Sequence, residues 1–298
     1  MSHAAWIILT ASLVGISCSI VGCFLILRRM AMLSDAISHT VLLGIVGAFL
    51  ITHTVEGFPM LIGALVVGLL TTLLVQLLHN RGVQADAAIG VVFTALFALG
   101  VLLISIYARN VHLDAQHALY GEITFVPFDT VNVVGLEIPI AVLFVGGVLV
   151  FNLLMLTLFY KELKLCAFDP AMATALGISA VAMHYVLMGM VSLTTVSAFS
   201  SVGVILVVGM LIVPGATAYL LTDRLGMMLL ISSGIGVLSA LLGYQASTWF
   251  NVSISGAMVS IAGILFTIAL FVSPKHGILT RKWRLRRGNA WRGEKSFS

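Results

Sequence analysis

The sequence predicts an all-α bundle, polytopic in the membrane, with about nine transmembrane helices. Three observations carry this. Hydrophobic residues fill 60% of the 298 positions and charged residues only 9%, whereas soluble domains carry about 25% charged residues. Apolar runs of bilayer-spanning length recur along the whole chain. The 28 glycines supply the small residues that close helix packing in lipid requires.

The runs fall at 6–27, 36–52, 59–79, 87–107, 131–158, 178–196, 199–220, 227–246 and 254–272. The first is too long for the apolar part of a cleavable signal, and no Lys or Arg precedes it, so it is expected to remain as a span. Nine is odd, which puts the two ends on opposite faces. With the N-terminus outside, the inner segments hold fourteen of the fifteen Lys and Arg residues and leave only Arg109 outside; without the C-terminal tail the split is still six to one. The positive-inside rule therefore predicts an external N-terminus and a cytoplasmic C-terminus. A re-entrant segment is compatible with the long fifth run and with the turn near Phe199. One transmembrane domain, 1–273, is expected, followed by a basic cytoplasmic tail, 274–298. That tail holds eight Lys/Arg residues with Trp283 and Trp291, a composition suited to anionic membrane lipid; nothing points to nucleic acid. Cys18, Cys23 and Cys166 form no C-x-x-C pair and read as small buried side chains.

The most informative stretch runs from Arg28 to Gly44. It places Asp35 and His39 four residues apart, on one helix face and one turn from each other. Ionisable groups within a span are costly and face a bundle interior or a water-filled path. An oxygen and a nitrogen donor together suit manganese, iron or zinc. Two plainer readings stand beside this one: Ser34 or Asp35 as a helix N-cap, and His39 as a buried histidine bonded to backbone.

Three other regions carry polar chemistry. The outer loop after Tyr107 contains His112, Asp114, His117 and Glu122, donors that either pass on a cation or form a solvated docking surface. The inner loop from Lys161 to Gly177 ends as a short helix, with Asp169 at the N-cap, Pro170 at N1 and Gly177 just past the end. So short a helix does not persist alone in water; its stripe of Met172, Ala173 and Leu176 must pack on its own bundle or in a groove on a cytoplasmic partner. In the later spans, Ser192, Thr194, Thr195, Ser197, Ser200 and Ser201 form a polar zone whose default role is mutual hydrogen bonding, with lining a hydrophilic path as second choice. Pro214-Gly215 is expected to kink the seventh span. Asp223 reads as held by water or Arg224, or as a third donor beside Asp35. His184 reads as a satisfied buried histidine.

Absences narrow the class. There is no Gly-Lys dipeptide and hence no Walker A loop, and no His-Glu dipeptide for a zinc hydrolase motif. No Arg-rich voltage sensor or carbonyl filter occurs. A translocation pathway is favoured over an enzyme.

Taken in order, several separated stretches resemble the membrane permeases of manganese/zinc/iron ABC importers. They are Met32-Leu-Ser-Asp-Ala-Ile-Ser-His-Thr-Val-Leu-Leu-Gly44, Asp86-Ala-Ala-Ile-Gly90, Val111-His-Leu-Asp114 with Leu119-Tyr-Gly-Glu122, Phe168-Asp-Pro170, and Pro214-Gly-Ala-Thr-Ala218 with Leu221-Thr-Asp-Arg224. Ser34, Leu43 and Gly215 stand where the commonest family pattern has glycine, proline and alanine; these departures look like the manganese-type branch. The resemblance implies that Asp35 and His39 contribute to a metal site in the translocation path. It also implies that Phe168, Asp169, Pro170, Met172, Leu176 and Gly177 form the coupling segment that sits in the ATPase. The implied partners are a cytoplasmic ATP-binding subunit, an extracytoplasmic metal-binding protein and a second permease, identical or related, in a bacterial plasma membrane. No permanent cofactor is implied, only a transported Mn, Zn or Fe ion. A self-sufficient, proton-coupled secondary metal transporter is the alternative.

Overall fold

The computed structural model describes residues 3–52, 58–107, 123–133 and 136–273. The elements run α1 His3–Leu27, α2 Ala31–Thr52, α3 Phe58–Asn80, α4 Ala85–Tyr107, a 3-10 turn Val126–Phe128, β1 Thr130–Val133, β2 Leu136–Pro139, α5 Ile140–Leu158, α6 Tyr160–Phe168, α7 Pro170–Ala175, α8 Ala180–Val202, α9 Val204–Leu221, α10 Leu225–Phe250 and α11 Ile254–Val272. Among the described residues, nine helices, α1–α5 and α8–α11, are long and apolar enough to cross a membrane. The all-α, nine-span class expected from composition is thus what the chain adopts.

Two expected boundaries are corrected. The fifth run does not enter the bilayer at 131, because its start is a β-hairpin pairing Val131 with Ile138 and Asn132 with Glu137. Polar residues alternate with β-branched ones here, the period of a strand, and Pro139 then stands at the N-cap of α5. The turn placed near Phe199 lies four residues later. Helix α8 continues to Val202, and the break is Gly203, whose φ of 81° is one that side-chain-bearing residues rarely adopt. The Val202 carbonyl, which the break leaves without a helical partner, accepts from Ser255 Oγ at 3.1 Å.

Helix α1 forms the centre: it packs against α5, α8, α9 and α10, and its side chains Val14, Val21, Phe24 and Leu25 are buried. The approach is close because small residues face backbone. A methyl group on Gly22 would collide with the Leu211 carbonyl of α9, and one on Gly44 of α2 with the backbone of Gly63 on α3. In lipid, where there is little hydrophobic drive between helices, such contact and interhelical hydrogen bonds supply the attraction. Thr71 Oγ1 donates to Thr40 Oγ1 at 2.8 Å between α3 and α2. Asn152 Nδ2 of α5 donates to Thr194 Oγ1 of α8 at 2.6 Å and to Ser17 Oγ of α1 at 3.2 Å. The polar zone therefore does knit helices together in part; Ser192 Oγ and Thr195 Oγ1 are buried with no partner among the described residues. Pro214 lies inside α9, as expected of the seventh span.

Helices α5, α6 and α7 follow one another with a single residue at each joint, Phe159 and Asp169. Each joint residue is hydrogen-bonded to the helix on either side: Phe159 N–H donates to Met155 O at 2.9 Å and Leu163 N–H to Phe159 O at 2.8 Å, while Asp169 N–H donates to Leu165 O at 2.8 Å and Ala173 N–H to Asp169 O at 3.1 Å.

Candidate metal site and inner helix

Asp35 and His39 lie inside α2, which begins at Ala31, so the N-cap reading falls away. Ser34 Oγ instead donates to the Ala31 carbonyl at 2.7 Å. Both members of the pair are on one face, with His39 Nε2 3.6 Å from Asp35 Oδ1 and side-chain exposures of 28% and 47%. That separation exceeds hydrogen-bond range. It matches two donors on a single ion: with metal–ligand bonds of about 2.1 Å, adjacent tetrahedral donors stand roughly 3.4 Å apart. Insertion of an aspartate at the middle of a span costs about 3 kcal/mol. Asp35 lies one turn into α2 rather than at its middle, close in sequence to Arg28 and Arg29, a position where that cost is smaller.

Helix α4 closes one side. The His39 ring centroid is 5.4 Å from that of Phe93 and 5.8 Å from that of Phe97, the latter edge-on. These two phenylalanines, four residues apart on α4, escaped the sequence reading; their signal was an aromatic pair at helical spacing just after Asp86-Ala-Ala-Ile-Gly90. They hold the imidazole in place and restrict water on that side. Among the described residues no third His, Cys, Asp or Glu joins the pair, so Asp223 does not complete it in this conformation. His112, Asp114, His117 and Glu122 lie outside the described residues, as does the basic tail.

The inner helix forms with the capping expected. Asp169 Oδ1 accepts from Met172 N–H at 2.9 Å, Pro170 begins α7, and Gly177 closes it at φ 82°. Ile178 N–H donates to Ala173 O and Gly177 N–H to Thr174 O, each at 3.0 Å, the double bond pattern of a Schellman end. The predicted apolar stripe splits, however. Ala173 is fully buried against the bundle, while Met172 and Leu176 are exposed together with Phe168. Met172 and Leu176 stand four residues apart and share the outward face of α7, while Phe168 is exposed at the end of α6, across the extended Asp169 joint. Ala173 turns inward because it lies about 100° around the helix from Met172.

His184 is only half satisfied. Its Nδ1 takes a long hydrogen bond of 3.4 Å from Arg28 Nη1, and its Nε2 is buried with no partner among the described residues.

The match to known proteins is broad. The family model for the ABC 3 transport family fits residues 2–273. The manganese transport system membrane protein MntD of Bacillus subtilis is 59% identical across 95% of this chain and 97% of its own length. The zinc transport system membrane protein TroD of Treponema pallidum is 44% identical across 92% of this chain and 75% of its own. Among solved structures, PsaBC from Streptococcus pneumoniae in complex with Fab is similar at 35% identity and a TM-score of 0.79, over 95% of this chain and 96% of that one. This chain, a multi-pass membrane protein, belongs to the ABC 3 transport family.

Proposed function

We propose that the chain is the permease subunit of an ABC importer that carries a divalent transition-metal ion into the cytoplasm, manganese first, zinc or ferrous iron next. The observation that carries this reading is the Asp35–His39 pair, spaced for one ion and walled by Phe93 and Phe97. Two protein donors leave other coordination positions to water or to a second copy, an open arrangement that lets an ion leave as well as enter. The N-terminus lies outside and the C-terminus in the cytoplasm. An extracytoplasmic metal-binding protein delivers the ion. ATP is hydrolysed in a separate cytoplasmic subunit, and the exposed Phe168, Met172 and Leu176 seat in that subunit. A second permease, identical or related, completes the path.

Metal uptake by cells lacking the chain, restored by plasmid copies, tests the site. Asp35→Ala and His39→Ala should each lower manganese uptake at least tenfold to a hundredfold, the loss seen when even the supports of metal ligands are removed, while the ATPase still co-purifies. Normal uptake in both removes the pair from the path. Met172→Glu with Leu176→Glu should do the reverse, releasing the ATPase. Uptake into liposomes holding this chain alone would favour the proton-coupled secondary transporter instead.

A further inference from the structure

At the end of the bundle where α1, α3 and α8 bring Arg28, His79 and His184 together lies a cleft of about 620 Å³. Its walls carry Arg28, Arg29, His79 and His184, and among the described residues no carboxylate lines it. The rest of the lining is largely apolar, with Leu27, Met30, Val75 and Ile89. The cleft is distinct from the Asp35–His39 pair, neither member of which borders it.

Two features of this cleft call for an anion. Arg28 is partly buried, its guanidinium pushed below its ordinary value by desolvation, and an interior cation without a counter-charge is costly. Arginine has only N–H groups to offer, so at 3.4 Å His184 Nδ1 must be the acceptor. That places the proton of the neutral ring on Nε2, turning it into a donor. His184 is 7% exposed, and this Nε2–H has no acceptor among the described residues. Arg28 and His184 thus border one cavity, with Arg29 and His79 also on its wall.

We propose that this cleft binds the phosphate of an anionic phospholipid, with the Arg28 guanidinium and His184 Nε2–H donating to its oxygens. The position favours a lipid over a free ion: the cleft opens where spans end, at headgroup depth, and its apolar wall accepts the glycerol and first acyl carbons. Basic pockets between spans on the cytoplasmic side hold lipid headgroups in this manner. Because Cys166, Ala167 and Pro170 also border the cleft, a bound lipid would brace the inner helix segment against the ends of α1 and α3.

The test uses the full chain in detergent, with lipid retention counted by native mass spectrometry and thermal stability read in parallel. Phosphatidylglycerol and cardiolipin should bind and raise the melting temperature; phosphatidylcholine should not. Arg28→Gln should weaken phosphatidylglycerol retention about fivefold, the effect of one basic group at an anionic surface, and His184→Phe, which removes a hydrogen-bond donor to a charged group, by at least as much. Arg81→Gln, at the same end but outside the cleft, should leave it unchanged and guards against a general charge effect. If Arg28→Gln does not fold, the exposed His79→Gln with Arg29→Gln serves in its place. Undiminished phosphatidylglycerol binding in the cleft variants overturns the proposal. An equal response to phosphatidylcholine, or to inorganic phosphate alone, overturns the lipid assignment. So does loss of ATPase association by Arg28→Gln in lipid-free detergent, which would give the cleft to that subunit.

Discussion

Helices α1 and α4 are apolar spans of 25 and 23 residues, alike in sequence character and opposite in fate. Of the spanning stretch of α1, 72% is buried within the chain; of α4, 17%. Helix α1 is gripped by four helices, whereas α4 rests chiefly on α2 and α3 among the described residues, with Gly100 close to the Leu43 backbone and Phe93 and Phe97 against His39. Hydropathy marks both as membrane helices and cannot rank them. What separates them is how many faces carry small residues turned to backbone: α1 meets two helices this way, at Gly15 and Gly22, and α4 meets one, at Gly100. The candidate ion site therefore sits between a tightly fixed helix, α2, and a lightly held one. This is where a change of conformation costs least.

The strongest way to break this contrast is to place a large side chain on each helix. Gly22→Leu on α1 drives a side chain into the Leu211 carbonyl and should destabilise the protein by about 3 kcal/mol or more, seen as lost monodisperse protein and a lower melting temperature in detergent. Gly90→Leu on α4, where nothing lies within 4 Å, should stay within about 0.5 kcal/mol of the parent. Normal stability with lost transport in Gly90→Leu would mark that face as a contact with a second permease. A smaller effect is expected at the aromatic wall. Phe93→Ala and Phe97→Ala should raise the manganese concentration for half-maximal uptake about tenfold, as loss of groups that orient a ligand does, with maximal uptake retained; unchanged uptake curves would show that α4 contributes only a barrier. Least of all, Thr71→Val should cost about 0.6 kcal/mol, the average for interhelical hydrogen bonds in lipid, by thermal unfolding. A much larger loss would mean that α2 is held by that bond more than by Gly44 and Gly63.

Features with a local cause were legible in the sequence. The nine spans follow from composition, the Asp35–His39 face from a spacing of four, and both ends of α7 from Asp169, Pro170 and Gly177. Features set by distant partners were not. Arg28 and His184 are separated by 156 positions, so the half-satisfied imidazole has no sequence signature. Phe93 and Phe97 gain a role only because α2 lies beside α4, which brings His39 against them. The hairpin at 130–139 was hidden because its residues are apolar enough to pass as the start of a span. On α7 the apolar pattern was right, but which residue turned inward depended on the neighbouring bundle: alanine fits the narrow gap that excludes methionine and leucine.

The single-residue joints at Phe159 and Asp169 leave no slack between a span and the segment exposed beneath it. Phe159 and Asp169 are each backbone-bonded to both of their flanking helices, so α5, α6 and α7 are closely joined rather than a rod on a tether. A linker of even a few glycines there would turn a mechanical connection into a leash.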